Sequence, residues 1–395
     1  MGKTEVYIAA GARTAIGTMG GVFASLTALD LSIPVIRALA GGGIDANDID
    51  DVIWGCNYQR TYQENNLARV ALVKAGLPDT VPGVTIHRNC ASSMSSVQFA
   101  FCQIAAGEAD VVLAGGGESM STAPHMVFGA RGGKKFGNFE LRDSMWDSLT
   151  HLGIGPAMGV TAENVAERFG VAREEQDRYA LQSQRRAAAA IDAGKFRDEI
   201  VPVAIRGRKG DTIVDTDEHP RRGLAMEDLA KLKPAFKEGG TVTAGNASGM
   251  NDAAAGLALV SGGYAAAHGL TALAGVVATA TAGVDPDIMG IGPVPASRKA
   301  LAKAGLAVSD IGLWEINEAF ASQCLACARE LGVSEGILNV NGGGISLGHP
   351  VGATGARIIV TLVNEMRRRG VRFGVAALCA GGGQGTAVVV ENPQA

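Results

Sequence analysis

Two stretches of the chain read alike, and that likeness limits the folds open to it. Gly43-Ile44, Asp48-Ile49, Trp54 and Asn57 are echoed by Gly305-Leu306, Asp310-Ile311, Trp314 and Asn317. Each is a loop followed by a short apolar run that ends at an asparagine. A second echo sets Asp110 to Ala114, with Gly115-Gly116-Gly117 behind it, beside Gly374 to Leu378 and Gly381-Gly382-Gly383. Around these echoes, apolar runs at strand length alternate with segments at helical spacing. Strands are predicted over 5–10, 50–55, 83–87, 110–114 and 371–378. Helices are predicted over 25–40 and 66–75, from just after Cys90 to Gly107, and over 356–369. Such alternation implies βαβ units, a mostly parallel sheet and an α/β fold built from two duplicated halves.

The alternation lapses between Met120 and about Gly245. A polar helix over 161–194 and a basic run from Arg206 to Lys209 mark this stretch as an inserted loop domain. The chain therefore divides into an N-terminal half (1–120), the insertion (121–250) and a C-terminal half (251–395).

Bulk properties exclude several function classes. Apolar residues make up 47% and aromatics 5% of the 395 residues, which suits close-packed helices on sheets. The formal net charge of -4 argues against binding nucleic acid through a basic surface. No run approaches the roughly 18 apolar residues of a membrane span. Neither end carries a signal-peptide core, a basic presequence or a peroxisomal address, so a cytoplasmic protein is expected. The six cysteines follow no disulfide framework, which points to reduced thiols.

Four polar residues stand where chemistry is possible. Cys90 opens a helix, where free amides and the helix dipole lower a thiol pKa and can hold an oxyanion; the alternative is a buried, inert cysteine. His349 sits in Gly348-His349-Pro350, a loop without apolar pattern, where a neutral imidazole can accept a proton from Cys90. Cys379 ends a predicted strand against three glycines; it is either a second acid or base, or only the end of a buried strand. Asn317, within Glu315-Ile316-Asn317-Glu318-Ala319-Phe320, can hold a water or an oxyanion, or cap a helix. Other features carry less. Cys324 and Cys327 form a CxxC inside an apolar helix with no second pair, so no metal site is expected. The triple glycines lack the dinucleotide fingerprint, and Gly2-Lys3-Thr4 lacks the upstream half of a phosphate loop.

Taken together, Asn89-Cys90-Ala91-Ser92-Ser93, Asn317-Glu318-Ala319-Phe320, Gly348-His349-Pro350 with Gly352-Ala353-Thr354-Gly355, and Cys379-Ala380-Gly381-Gly382-Gly383 resemble the thiolase family over nearly the whole chain. The likeness is closest to its short-chain biosynthetic type, the acetyl-CoA acetyltransferases. It implies the thiolase fold, with the two halves layered α-β-α-β-α and the insertion supplying CoA-binding and oligomer contacts. It implies reversible Claisen condensation of two acetyl-CoA to acetoacetyl-CoA plus CoA, through an acyl-cysteine on Cys90. His349 would accept the Cys90 proton, Cys379 would deprotonate the second acetyl group, and Asn317 would hold a water on the enolate. The amides of Cys90 and Gly381 would form the oxyanion site. Arg221 would lie near the nucleotide, Ser248 would touch pantetheine, and Met158 and Phe320 would line the acyl end. Arg206, Arg208, Lys209 and Arg222 are further candidates for the phosphates. No cofactor is implied, because CoA thioesters are the substrates. A homotetramer built from dimers and a place in fatty acid metabolism are implied too. The family's short-chain members commonly read His-Met-Gly where this chain has Ala157-Met158-Gly159, and Asp228 stands where a serine often faces the nucleotide. Both departures bear on chain length, so a broader-range 3-ketoacyl-CoA thiolase is the alternative. A ketosynthase-like enzyme lacking a counterpart of Cys379, or a silent CoA-binding protein, are the more distant ones.

Overall fold

The computed structural model describes residues 4–41, 43–207 and 210–395. The strands that frame the site are β1 (Val6–Arg13), β2 (Asp51–Gly55), β3 (Gly83–Ile86), β4 (Val111–Ser119), β5 (Asn251–Ser261), β6 (Ala274–Gly283), β7 (Leu313–Ile316), β8 (Phe373–Ala380) and β9 (Gln384–Glu391). The helices are α1 (Ala28–Ala40), α2 (Leu67–Ala75), α3 (Ser92–Ala106), α4 (Met158–Arg168), α5 (Arg173–Asp192), α6 (Pro293–Ala304), α7 (Ala321–Leu331) and α8 (Thr354–Arg369). All nine strands lie along one path, β7-β8-β9-β6-β1-β5-β4-β2-β3. The two halves meet at β1 and β6 through only two residue pairs, Tyr7 with Gly275 and Ile8 with Ala274.

Side-chain alternation along these strands builds the layers. In β4, Val111 and Leu113 face α1 and α2, whereas Val112 and Ala114 face α3 and α8. In the other half, Val375 and Ala377 of β8 face α6 and α7, whereas Ala376 and Leu378 face α3 and α8. Two helices are therefore buried between the halves, and the layers run α-β-α-β-α. The central pair touches closely. A Cβ on Gly355 would meet the Met94 amide nitrogen at 2.4 Å, and the Ala356 amide donates to Ser93 Oγ at 3.0 Å.

Local chemistry sets the helix ends. Thr27 and Asp30 form a reciprocal capping box, so α1 begins at Ala28, three residues later than periodicity predicts. Helix α8 ends as expected, with Arg367 to Arg369 in its last turn and Gly370 left-handed at φ +64.

Four expectations need correction. The sheet is mixed, not mostly parallel: β2–β3, β2–β4 and β7–β8 are parallel, whereas β1–β5, β4–β5, β6–β9 and β8–β9 are antiparallel. A turn as short as Gly381–Gly383 can only return the chain antiparallel. Gly115 to Gly117 do not end β4, which runs on to Ser119. They are glycines because neighbours crowd them; a Cβ on Gly116 would meet the Gly352 carbonyl oxygen at 2.1 Å. The two triple glycines are also not equivalent, since Trp54 pairs across from Gly115 and Trp314 from Val375. Finally, the polar helix expected over 161–194 is two helices, α4 and α5, broken at Gly170 with φ +62. Residues 251–261, as β5, lie between β1 and β4.

Candidate active site

Cys90 lies two residues ahead of α3, and Asn89 before it holds a positive φ of +46 that a short polar side chain tolerates. The Asn89 side-chain amide donates to the Gly381 carbonyl at 2.8 Å. That bond draws the turn after Cys379 over Cys90, and the backbone amides of Gly381 and of Cys90 itself reach the Cys90 sulfur. The sequence argument expects those amides to lower the thiol pKa. They do pull it down, but burial outweighs them and pushes the Cys90 thiol up to about 11. The resting nucleophile is a thiol.

Cys379 is buried, next to last in β8, opposite Gly385 of β9. Burial pushes its thiol well above the usual range, and negative charge on Cys90 pushes it further, so the two sulfurs share one environment. The turn that follows carries left-handed glycines, Gly382 at φ +83 and Gly383 at φ +80.

His349 is set from both sides. Its amide donates to Asn251 Oδ1 at 2.9 Å. Gly348 before it has φ +107, and a Cβ there would meet Asn251 Cγ at 2.4 Å, so only glycine fits. His349 Nδ1 lies 2.7 Å from Thr354 Oγ1, whose hydroxyl donates to the Pro350 carbonyl at 2.9 Å. The hydroxyl hydrogen is thereby engaged, so Nδ1 is the protonated nitrogen and Nε2 the free acceptor. Burial, then the charge of Arg357, lowers the His349 pKa to about 3. The Asn317 amide nitrogen stands 3.5 Å from both ring nitrogens. Asn317 does not cap α7, whose N-cap is Phe320. Its Oδ1 is buried without a protein partner, an acceptor in reserve for substrate or solvent.

Of these four, His349 lines an apolar cavity of about 450 Å³; Cys379 packs behind its wall residues Met158 and Phe320, and Cys90 behind Met120, Met145 and Val351. His349, Met158, Phe320 and Ser248 all line it. Phe236, which sequence reasoning passed over, packs edge-on to Phe320 at 6.1 Å and lies so close over Gly159 that a Cβ there would meet its ring at 2.1 Å. Ala157 lines the same cavity. Arg221 is not among its lining residues; it lines a second, smaller cavity with Gln184 and His219, and the two cavities share Ala247 and Gly249. Arg222 pairs with Asp192 at 2.7 Å, Arg206 borders a groove beside α1, and Arg208, Lys209, Gly2 and Lys3 lie outside the described residues. Asp228 accepts from the Ala225 amide at 3.2 Å at the start of a short helix. Among the described residues, no group of three His, Cys, Asp or Glu is arranged to hold a metal ion, and no helix is long and apolar enough to cross a membrane. The two cysteines of the CxxC are buried in α7, with Cys324 Sγ 3.2 Å from the Tyr179 hydroxyl.

The chain is similar to known proteins over nearly its whole length. The family model described as "Thiolase, N-terminal domain" matches residues 6–263, and "Thiolase, C-terminal domain" matches residues 270–392. The chain belongs to the thiolase family. It is 52% identical over 392 residues to an acetyl-CoA acetyltransferase of Chromobacterium violaceum, covering 98% of this chain and 100% of that one. It is 50% identical over 394 residues to one of Rhizobium meliloti, covering 99% and 100%. Among solved structures, the Bacillus anthracis acetyl-CoA acetyltransferase superposes with a TM-score of 0.96 at 47% identity, covering 98% of this chain and 99% of that one. Human mitochondrial 3-ketoacyl-CoA thiolase in complex with CoA superposes with a TM-score of 0.94 at 44% identity, covering 98% of each.

In this thiolase-family site the loops are held by residues to which the sequence reading gave no role. Asn89 and Asn251 each hold a loop that carries a candidate catalytic group. Their signal in the sequence was faint: an asparagine before a reactive residue, or at the head of a strand. Glu118 is a third, a lone acid near the end of an apolar strand.

Proposed function

We propose that this chain is an acetyl-CoA C-acetyltransferase, condensing two acetyl-CoA to acetoacetyl-CoA and CoA and running the reverse thiolysis. One observation carries the reading: the Asn89 side chain holds the Gly381 carbonyl at 2.8 Å, which brings the glycine turn after the buried Cys379 onto Cys90 at the head of α3. The full-length likeness to acetyl-CoA acetyltransferases supports the choice of substrate.

With the Cys90 thiol near 11 and the His349 imidazole near 3, a preformed thiolate–imidazolium pair is strongly disfavoured. Proton transfer therefore accompanies attack. The Cys90 sulfur bonds to the acetyl carbonyl carbon as His349 Nε2 takes its proton. The carbonyl oxygen, now negative, meets the amides of Cys90 and Gly381. The carbon–sulfur bond to CoA breaks, and His349 passes the proton to the departing CoA sulfur, so Cys379 and the imidazole are both neutral when the second acetyl-CoA arrives. Cys379 then takes the methyl proton of that acetyl-CoA as its own thiol proton passes to His349, so that no standing thiolate is needed. Asn317 and His349 hold the enolate oxygen. The enolate carbon attacks acetyl-Cys90, the Cys90 sulfur leaves, and His349 returns its proton.

Ser248, Met158 and Phe320 are proposed to hold the pantetheine and acyl ends, and Arg221 the nucleotide. Residues 121–250 are proposed to act as the inserted loop domain. Exposed Phe128, Phe136 and Leu141, in or beside the antiparallel pair of strands His125–Val127 and Leu141–Asp143, support self-association, for which a homotetramer is proposed. A cytoplasmic enzyme of fatty acid metabolism that needs no dissociable cofactor completes the proposal.

The test mixes the protein with acetoacetyl-CoA and CoA and follows loss of the ketoester absorbance. Absence of thiolysis sinks the enzyme reading. Faster thiolysis of longer 3-ketoacyl-CoAs than of acetoacetyl-CoA replaces it with the broader-range alternative.

A further inference from the structure

Glu118 is fully buried in β4, and the acetyltransferase chemistry leaves it unused. Its two oxygens gather donors from both halves of the molecule. Oε1 accepts from the Tyr58 amide at 3.1 Å and lies 3.6 Å from Cys56 Sγ. Oε2 accepts from the Asn57 amide at 3.1 Å and from the Gly352 amide at 2.8 Å. The first three belong to the turn after β2; Gly352 belongs to the turn that carries His349. No arginine or lysine pairs with this carboxylate among the described residues. The titratable groups facing it are Cys56 and Tyr58 on the first turn and Cys90 at the head of α3, with Glu64 also acting on Cys56. Burial raises the Cys56, Tyr58 and Cys90 groups above their usual ranges, so these three are neutral at pH 7.

The seating at Gly352 leaves no slack. A Cβ on Gly352 would lie 2.9 Å from Glu118 Oε2 and 3.1 Å from Cys56 Cα. Val351, one residue earlier, packs with Tyr58 and Met120 against Cys90. A shift of the Gly352 amide is therefore passed to Val351, to the wall beside Cys90, and to His349.

We propose that Glu118 is a positioning residue whose ionised carboxylate locks the His349-bearing turn onto the half that carries Cys90. An ionised carboxylate is acceptor-only and satisfies three amides and a thiol at once. A protonated one carries a hydroxyl that faces those same donors, and at least one bond is lost. Burial pushes this carboxyl up to about 7, and the amides bring it only part of the way back. The lock therefore closes as pH rises through neutrality, a range in which neither His349, near 3, nor Cys90, near 11, titrates.

The inference rests on the thiolysis reading, and its test separates the two. The kcat of acetoacetyl-CoA thiolysis is measured across about pH 5.5 to 9 for the wild type, Glu118→Gln and Glu118→Asp. The wild type is expected to lose about tenfold per pH unit below about 7. Glu118→Gln keeps the volume but turns a donor toward the amides. Its kcat at about pH 8 should fall at least tenfold with KM little changed, and the inflection near neutrality should vanish. Glu118→Asp should keep an inflection, because it keeps a charge. Wild-type kcat with an intact inflection in Glu118→Gln overturns the proposal. If that variant does not fold, an active wild type without an inflection between about pH 6 and 8 overturns it alone. A wild type inactive at every pH defeats the functional reading instead. In that case the pH dependence of Cys90 alkylation by iodoacetamide, which needs no turnover, still reads the lock: a bend near neutrality supports it, and an unbroken slope overturns it.

Discussion

Asn89 donates its side-chain amide to the carbonyl of Gly381 at 2.8 Å, and through that bond the N-terminal half holds the turn that follows Cys379. The bond joins residues from opposite ends of the chain and fixes the Gly381 amide over the Cys90 sulfur. Losing a single oxyanion donor commonly costs about a hundredfold or more in kcat, so loosening one by a lost tether costs less. Asn89→Gly should lower the rate of Cys90 acylation about tenfold, read as acetyl-enzyme formed per unit time by mass spectrometry. Asn89→Ala should do the same and unfold at lower denaturant by about 1 kcal/mol, because alanine resists the φ of +46. Equal stability of the two variants contradicts the strain argument.

The Cys90 thiol, pushed up to about 11, sets a pH dependence with a definite sign. Below that value the thiolate fraction falls about tenfold per pH unit. Iodoacetamide alkylation of Cys90 in the free enzyme should therefore climb steadily between about pH 8 and 10. A plateau beginning near pH 8 would show that the helix amides outweigh burial after all.

His349 makes acid stability steeper. Its folded pKa of about 3 lies below the usual value near 6.5, so between those values the unfolded chain binds the extra proton. Stability is thus gained as pH rises through that window and lost as it falls, by up to about 1.4 kcal/mol per pH unit. Comparing urea unfolding at about pH 5 and pH 7, the wild type should show this loss and His349→Gln should lack it. Raised carboxyls such as Glu118 and Glu315 act in the opposite direction in both proteins and cancel in the comparison.

Gly348→Ala places a Cβ 2.4 Å from Asn251 Cγ at a φ of +107. The variant should lose about 2–4 kcal/mol and, where still folded, thiolyse at least tenfold more slowly. Differential scanning calorimetry and steady-state rates measure the two effects.

Phe236→Ala removes the ring that packs on Phe320 and over Gly159 at the cavity wall. KM for acetoacetyl-CoA should rise about fivefold or more with kcat less affected, because loss of an apolar wall weakens binding of ground and transition states alike. An unchanged KM excludes Phe236 from the binding site.

The sequence was informative where local pattern decides structure. Alternation located β2, β3 and α8 to within a residue or two, and the echo between Trp54 and Trp314 marks equivalent strand positions. Strand direction was not legible, because nothing local tells β5 to run against β4 after a long insertion. The motifs drew attention to two adjoining pairs, Asn317 with His349 and Cys379 with Cys90. Their supports were hidden for a physical reason. Glu118 and Asn251 act through partners distant in sequence, and a lone acid or amide has no periodicity. The expected lowering of the Cys90 pKa failed for the same cause: helix position is written locally, but burial is not.

The pairing of Val6 with Ser261 has a consequence for the chain as it is made. β1 leaves the ribosome well ahead of β5 and finds that partner only after the residues between them have been translated. At ~5–20 residues per second that wait is on the order of 10–50 s. Until then an apolar strand stands without the neighbour that separates it from β4. Chaperone dependence during synthesis, and sensitivity to pauses placed ahead of codon 251, follow from where that one strand lies in the order of the sheet.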